Sequence, residues 1–211
     1  MIKRRPTVVV LAAGRGMRFH GAGHKLQQSI GADTVLSRTL GHAIATRMRV
    51  VVVTTEALAP MVQHLIAAND VIVLPTLASN GKAAPVGMGH SIAAGVVASG
   101  DSEGWLILPG DMPMLQPSSM IAVADALEQY PIAFAQYRGR QGHPVGFSAE
   151  LYSELKDLVG DEGARRIVAR FPSHAVDVKD PGVLVDVDTV EDLSRLQQPG
   201  GSTKAAITKT E

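Results

Sequence analysis

The residues best equipped to handle a phosphate group lie near the start of the chain. Val8-Val9-Val10-Leu11 runs into Ala12-Ala13-Gly14-Arg15-Gly16-Met17-Arg18-Phe19, and Lys25 follows a second small-residue stretch, Gly21-Ala22-Gly23. Small residues let backbone N–H groups approach a polyphosphate closely, while Arg18 and Lys25 can neutralise its charge. The pattern reads as a nucleotide site, with Leu11, Ala12, Ala13, Gly14 and Gly16 against the ligand and Arg18 and Lys25 as its cations. Two better-known phosphate loops fail residue by residue. A P-loop needs Gly-Lys-Ser/Thr, which is absent, and the dinucleotide fingerprint needs a third glycine where Phe19 stands. Glu56, after the second apolar run, lies much more than the ~20 residues beyond the glycines that a ribose-binding acid requires.

Carboxylates supply the second half of the chemistry. Leu106-Ile107-Leu108-Pro109-Gly110-Asp111-Met112-Pro113 sets an aspartate just past a buried strand, where ligands bind in open α/β sheets. Asp111 is the first candidate metal ligand, since Mg²⁺ takes one or two carboxylates and fills its remaining positions with phosphate oxygens and water. The alternative for such a residue is a turn or helix-cap aspartate. Asp186 and Asp188 form an acidic pair in Val185-Asp186-Val187-Asp188-Thr189. Strand alternation would place both on one face, where they repel unless a cation or proton separates them. Either they face a metal, or one meets solvent and the other caps the next helix. His143, in Gly142-His143-Pro144, can act as a base or bond structurally. Lys82, in Gly81-Lys82-Ala83, is a loop cation that either meets phosphate or is solvated.

These groups need a scaffold, and the hydrophobic pattern provides one. Thr7 to Leu11, Val50 to Thr54, Val71 to Leu74, Trp105 to Leu108, Ile132 to Tyr137 and Leu184 to Val187 read as strands. Helical spacing covers Val35 to Ala45, Ala57 to Ala68, Ser91 to Ala98, Ser118 to Gln129, Leu151 to Leu158 and Gly163 to Phe171. A last helix starts at Thr189 with Asp192 three residues on, a shortened capping box, and runs to about Leu196. Strands alternating with helices predict an α/β fold: a mainly parallel, mixed sheet sandwiched by helices, Rossmann-like in its layering. One domain is expected over residues 1–197. From 198 to 211 the composition turns to Pro, Gly, Ser, Thr and Lys, and a disordered tail is expected.

Composition narrows the partners. Lysine plus arginine and aspartate plus glutamate each total 20, so no net field steers DNA or an anionic membrane. No nucleic acid or membrane partner is therefore expected. The absence of cysteine removes disulfides, thiolate metal sites and thiol nucleophiles, and fits a cytoplasmic setting. The basic start, Met1-Ile2-Lys3-Arg4-Arg5-Pro6, lacks the apolar length and cleavage site of a signal peptide. No apolar run approaches the roughly 18 residues of a membrane helix.

The string LAAGRGMRF with Lys25 resembles the signature of nucleotidyltransferases built on the glycosyltransferase-A-like fold. The other motifs are similar to those of the molybdenum cofactor nucleotidyltransferases among the MobA-like NTP transferases, over Val8 to about Leu196. Pro109-Gly110-Asp111-Met112-Pro113 looks like their metal loop, and Asp186, Asp188 and Thr189-Val190-Glu191-Asp192 like their acidic pair and helix start, with Val190 where proline is common. Gly87-Met88-Gly89-His90-Ser91 resembles a nucleotide-side segment from which only Ser91 carries over. Arg140 to Phe147 resembles the Gly-His-Pro acceptor segment, which makes His143 a binding residue. Gly160-Asp161-Glu162-Gly163-Ala164-Arg165 looks like a segment of the cytidylyl members, with Asp161 capping a helix and Arg165 and Arg166 offering charge to a pterin phosphate.

Leu11-Ala12-Ala13-Gly14 is the form found in CTP users, in place of the Leu-Ala-Gly-Gly of GTP users. The resemblance implies CMP transfer from CTP to the phosphate of molybdopterin or molybdenum cofactor, with Mg²⁺ or substituting Mn²⁺ on Asp111, Asp186 and Asp188. A recipient molybdoenzyme is a further partner. The competing readings are guanylyl or other small-phosphate transfer on the same fold, a non-catalytic cofactor carrier, and an NAD-dependent oxidoreductase, which Phe19 opposes.

Overall fold

The computed structural model describes residues 5–14, 16, 19–21, 23–75 and 87–197. Nine strands and seven helices follow in chain order among them: β1 Thr7–Ala12, β2 Ser29–Ile30, β3 Asp33–Thr34, α1 Val35–Ala45, β4 Val50–Thr55, α2 Ala59–Gln63, β5 Val71–Leu74, α3 Met88–Ala98, β6 Gly104–Pro109, α4 Pro117–Ala126, β7 Ile132–Tyr137, β8 Arg140–Ser148, α5 Tyr152–Lys156, α6 Arg165–Arg170, β9 Ser173–Asp177 and α7 Val190–Gln197. Seven strands form one sheet in the order β5-β4-β1-β6-β8-β7-β9, and β2 and β3 make a separate hairpin. The pairs β4–β5, β1–β4, β1–β6 and β7–β9 are parallel, while β8 runs antiparallel to both β6 and β7. The expected mixed, mainly parallel sheet flanked by helices is what the chain forms.

Alternation along β1 builds two apolar layers. Val8, Val10 and Ala12 face a core shared with Leu36 and Leu40 of α1, Val62 of α2 and Met120 and Val123 of α4. Val9 and Ala13 face the other core, with Ile92 and Val96 of α3, Leu155 of α5 and Ile167 of α6. Each fully buried Leu or Ile contributes about 1.5–3 kcal/mol. Gly95 of α3 packs so closely on the sheet that an added Cβ would lie 2.3 Å from a methyl of Val9. Strand order reverses between β1 and β6: the chain steps outward from β1 to β4 and β5 and returns through α3, on the face opposite α1, to β6, so the carboxyl ends of two adjacent parallel strands flank a switch point. That is the crevice where open α/β sheets take ligands.

Several elements differ from expectation. Leu184 to Val187 is not a strand: Pro181–Leu184 forms a 3-10 turn and the chain continues irregularly. Val183, Val185 and Val187 are buried in alternation with Leu184 and Asp186, so the period of two is real burial without a paired neighbour. Conversely, β8 holds Gly142-His143-Pro144, residues that weaken a strand signal. These three residues face the single residue Ala135 between the Phe134↔Val145 and Gln136↔Gln141 pairs, and Pro144 is tolerated at that irregularity. The helix expected over Ala57 to Ala68 is confined to Ala59–Gln63. At α7, Asp192 Oδ2 accepts from the Thr189 N–H at 2.9 Å and Thr189 Oγ1 accepts from the Asp192 N–H at 3.2 Å, the reciprocal cap expected. Residues 198–211, expected as a tail, lie outside the described residues. No helix among the described residues is long and apolar enough to cross a membrane.

Candidate active site

A cleft of about 850 Å³ opens at the carboxyl ends of β1 and β6, within the ~300–1,000 Å³ typical of small-molecule sites. Leu11, Ala13, Gly14, Gly16, Lys25, Ser91, Asp111, His143, Asp186 and Asp188 all line it. Ala12 does not. Its side chain is fully buried on the α1 face of β1, and this strand end meets the cleft through Leu11, Ala13 and Gly14. Arg18 and Lys82 lie outside the described residues.

The glycine loop and Lys25 are held by local bonds. Gly14 has open space where a Cβ would stand, which leaves its backbone accessible from the cleft. Gly16 adopts φ +60°, a left-handed conformation suited to glycine. Phe19, buried in the α1-side core, donates its N–H to the Gly16 carbonyl at 2.9 Å and anchors the loop. A 3-10 turn over Lys25–Gln27 follows, with Leu26 buried in the same core. His24 joins the two pieces: its Nδ1 accepts from the Leu26 N–H at 3.2 Å, so Nε2 carries the proton and donates to the Gly14 carbonyl at 3.2 Å. The proximity of His24 to Lys25 in sequence was the only available sign of this role.

Three carboxylates gather opposite. The Gly110 N–H donates to the Leu11 carbonyl at 2.9 Å, which ties the loop after β6 to β1. The Val187 N–H donates to the Asp111 carbonyl at 2.9 Å and sets Asp186 and Asp188 on either side of that bond. Asp180 fixes the preceding turn by accepting from the N–H groups of Gly182 and Gln116 and the Ser119 hydroxyl, each at 2.8 Å. Gly142 packs so tightly on this turn that a Cβ would lie 2.3 Å from the Val183 carbonyl oxygen.

Lys25 Nζ donates to Asp111 Oδ2 at 2.6 Å and to Asp188 Oδ1 at 3.1 Å, with the three side chains only 12%, 15% and 19% exposed. Burial pulls the ammonium's pKa down, but the Asp111 charge and hydrogen bond, then Asp188, outweigh it and hold Lys25 above its ordinary value. The Asp186 carboxyl is pushed up to about 6, first by lost solvation and then by Asp188 and Asp111. Lys25 thus offsets the repulsion at Asp111 and Asp188, and below about pH 6 a proton on Asp186 adds to that relief. Asp111 Oδ1 is buried with no hydrogen-bond partner, an acceptor awaiting a cation or donor. Among the described residues no three His, Cys, Asp or Glu side chains converge closely enough to hold a metal ion unaided. The oxygens suit a hard divalent cation that takes its other ligands from phosphate and water.

The walls are formed by α3 and β8. Ser91 is buried and directs its hydroxyl at the Gly87 carbonyl, 3.4 Å away. The Gly89 N–H donates to the Gly160 carbonyl at 2.8 Å, and His90 Nδ1 accepts from the Gly160 N–H at 3.3 Å. Asp161 therefore does not cap a helix. It lines the cleft beside Gly87, and α6 begins later, after Ala164, without a side-chain cap. Arg165 and Arg166 are exposed and do not line the cleft; Arg166 pairs with Glu162. Burial lowers the His143 imidazole below its ordinary pKa, with Asp111 opposing, so the ring is neutral at pH 7. Met88, His90, Arg140 and Gln141 also line the cleft, inside the two segments from which the sequence singles out only Ser91 and His143.

The crevice at the carboxyl ends of parallel strands, a glycine loop beside a lysine, and carboxylates with an unsatisfied oxygen define a nucleotidyltransferase of the glycosyltransferase-A-like fold. The family model for the MobA-like NTP transferase domain matches residues 8–178, and the chain belongs to that family. The match contains Lys25 and Asp111 and ends before Asp186. Among curated proteins, the purine catabolism protein PucB of Bacillus subtilis is 34% identical over 117 residues, 53% of this chain and 57% of its own length. The match thus spans little more than half of that relative. The Rv0371c protein of Mycobacterium tuberculosis H37Rv superposes with a TM-score of 0.74 at 27% identity, over 92% of this chain and 99% of that one. A manganese complex of the same protein gives a TM-score of 0.70 at 28% identity, over 93% and 99%. Molybdopterin-guanine dinucleotide biosynthesis protein A of Archaeoglobus fulgidus shares the fold, with a TM-score of 0.67 at 16% identity over 90% and 96%.

Proposed function

We propose that this transferase moves CMP from CTP onto the terminal phosphate of molybdopterin or molybdenum cofactor and releases pyrophosphate. The observation that carries the reading is the meeting of Lys25, Asp111, Asp186 and Asp188 with the Gly14–Gly16 loop in one cleft. The triphosphate lies along Gly14 to Arg18, and Ala13 offers the base a methyl surface at the end of β1. Ser91 and the amino end of α3 bound the nucleotide side, and His143 binds the acceptor phosphate as a neutral donor. Asp111 with the Asp186/Asp188 segment would hold Mg²⁺, or Mn²⁺ in its place, which supplies charge neutralisation at the phosphates.

The acceptor's phosphate oxygen attacks the α-phosphorus in line, and the bond to the β-phosphate oxygen breaks. Because the attacking acceptor oxygen is already ionised, no general base is required. Lys25 and Arg18 meet the charge of the departing pyrophosphate, so catalysis is positioning and electrostatics. The domain doing this spans residues 1–197, and a cysteine-free chain suits a cytoplasmic reaction and hand-over to a molybdoenzyme.

The test is pyrophosphate release from CTP, GTP, ATP and UTP in turn, with Mg²⁺, with and without a molybdopterin-type acceptor. Acceptor-dependent release from CTP alone is expected. Release from GTP moves the assignment to guanylyl transfer, and silence with all four overturns it.

A further inference from the structure

We propose that Lys25 is a built-in stand-in for the divalent cation, seated among the carboxylates in the nucleotide-free enzyme and displaced only when a triphosphate draws it away. The inference rests on the reading that Asp111 and the Asp186/Asp188 segment hold the metal. It adds an order of binding: metal enters with or after the nucleotide, not before.

The geometry carries it. Nζ bridges Asp111 Oδ2 at 2.6 Å and Asp188 Oδ1 at 3.1 Å, partners 86 and 163 residues away. An ammonium between two carboxylates occupies the position that an incoming cation needs, and repels that cation while it stays. Yet Asp111 Oδ1 stays buried and without a hydrogen-bond partner, so the ammonium seats the cluster without satisfying it, as a placeholder does.

The lysine is also mounted to swing. Its backbone is fixed by buried Leu26 and the His24 bonds, whereas its stem is a flexible four-carbon chain. That stem runs past Gly16, where a Cβ would come within 3.4 Å of the Lys25 Cγ. The loop proposed to carry the phosphates therefore lies alongside the stem. Rotation of the side chain alone moves the charge from the carboxylates to a triphosphate on Gly14–Gly16.

The experiment titrates the full-length, nucleotide-free protein with Mn²⁺ and follows the free-ion signal by electron paramagnetic resonance. Lys25→Met should bind Mn²⁺ about tenfold or more tightly than wild type, because a repelling charge within ~4 Å has been removed. Lys25→Gln, which keeps polarity without charge, should show the same gain and serves if Lys25→Met folds poorly. Lys25→Arg should stay as weak as wild type. Neutral variants of native circular dichroism that bind Mn²⁺ no more tightly than wild type overturn the proposal. Adding Asp111→Asn to Lys25→Met should erase the gain; a gain that survives sinks the carboxylate assignment itself.

Discussion

The Asp111→Asn substitution tests the site most directly, because the structure separates its effect on activity from its effect on stability. At neutral pH the three carboxylates of Asp111, Asp186 and Asp188 outnumber the Lys25 ammonium, and the substitution removes one of them. It costs Lys25 its 2.6 Å partner, but Asp188 still holds the ammonium at 3.1 Å. The ~3–5 kcal/mol expected when a buried pair is broken and a charge left alone does not apply. Against the lost pair stands relief of the repulsion that Asp111 exerts on Asp186, while the amide keeps a polar atom where the buried Asp111 Oδ1 stood. The two nearly cancel, so the change in stability should fall within ~1 kcal/mol, or about 2–4 °C in Tm for a domain of this size. Turnover should fall by ~10²–10³, the loss expected for one preorganised electrostatic group. Thermal denaturation and steady-state pyrophosphate release, run on the same preparation, separate the two effects. A variant that keeps more than about a tenth of wild-type kcat, or melts more than ~8 °C lower, refutes the reasoning.

Removal of divalent metal by EDTA should abolish pyrophosphate release, and either Mg²⁺ or Mn²⁺ should restore it; activity that persists in EDTA contradicts the carboxylate assignment. Asp186 has a folded-state pKa of about 6, above its ordinary value, so its protonated form favours the metal-free fold. That contribution is fully present below the ordinary carboxylate range and lost as pH rises through about 6; Tm in EDTA should decline across that interval, and Asp186→Asn should flatten the decline. Gly142→Ala places a Cβ 2.3 Å from the Val183 carbonyl oxygen and must push the turn that carries Asp186 and Asp188. We expect about 1–3 kcal/mol of destabilisation by denaturant melts, with kcat/KM reduced as well. Asp161→Asn should lower kcat/KM while leaving Tm within ~2 °C, since Asp161 lines the cleft and caps no helix; the reverse outcome would restore the capping role.

The parts of this fold legible in the sequence are those where one local signal decides. Continuous valines mark β1 and β4 because both faces of these strands are covered, and Val35–Ala45 shows its helix without ambiguity. The signal fails where tertiary contact overrides local preference. Gly142 and Pro144 argue against a strand, yet β8 forms because β6 and β7 flank it and its irregularity lies at those residues. Around Asp186 the alternation is correct and the strand is not, because burial sets the period while pairing requires a neighbour that this segment lacks.

The candidate site divides along the same line. Ala13, Gly14, Lys25 and Asp111 are recognisable from motifs, each beside its own strand end. The ion pair between Lys25 and Asp111 has no trace in either motif, because it depends on the Gly110–Leu11 bond that brings two loops together. Asp161 shows the converse: a residue with the right chemistry for a cap lies instead beside Gly87, where a Cβ would come within 2.6 Å of its Oδ1. Both cases follow from the placement of α1 and α3 on opposite faces of the sheet. That placement opens one crevice at the ends of β1 and β6, and the distant segments that carry Lys25, Asp111, Asp161 and Asp186 converge on it.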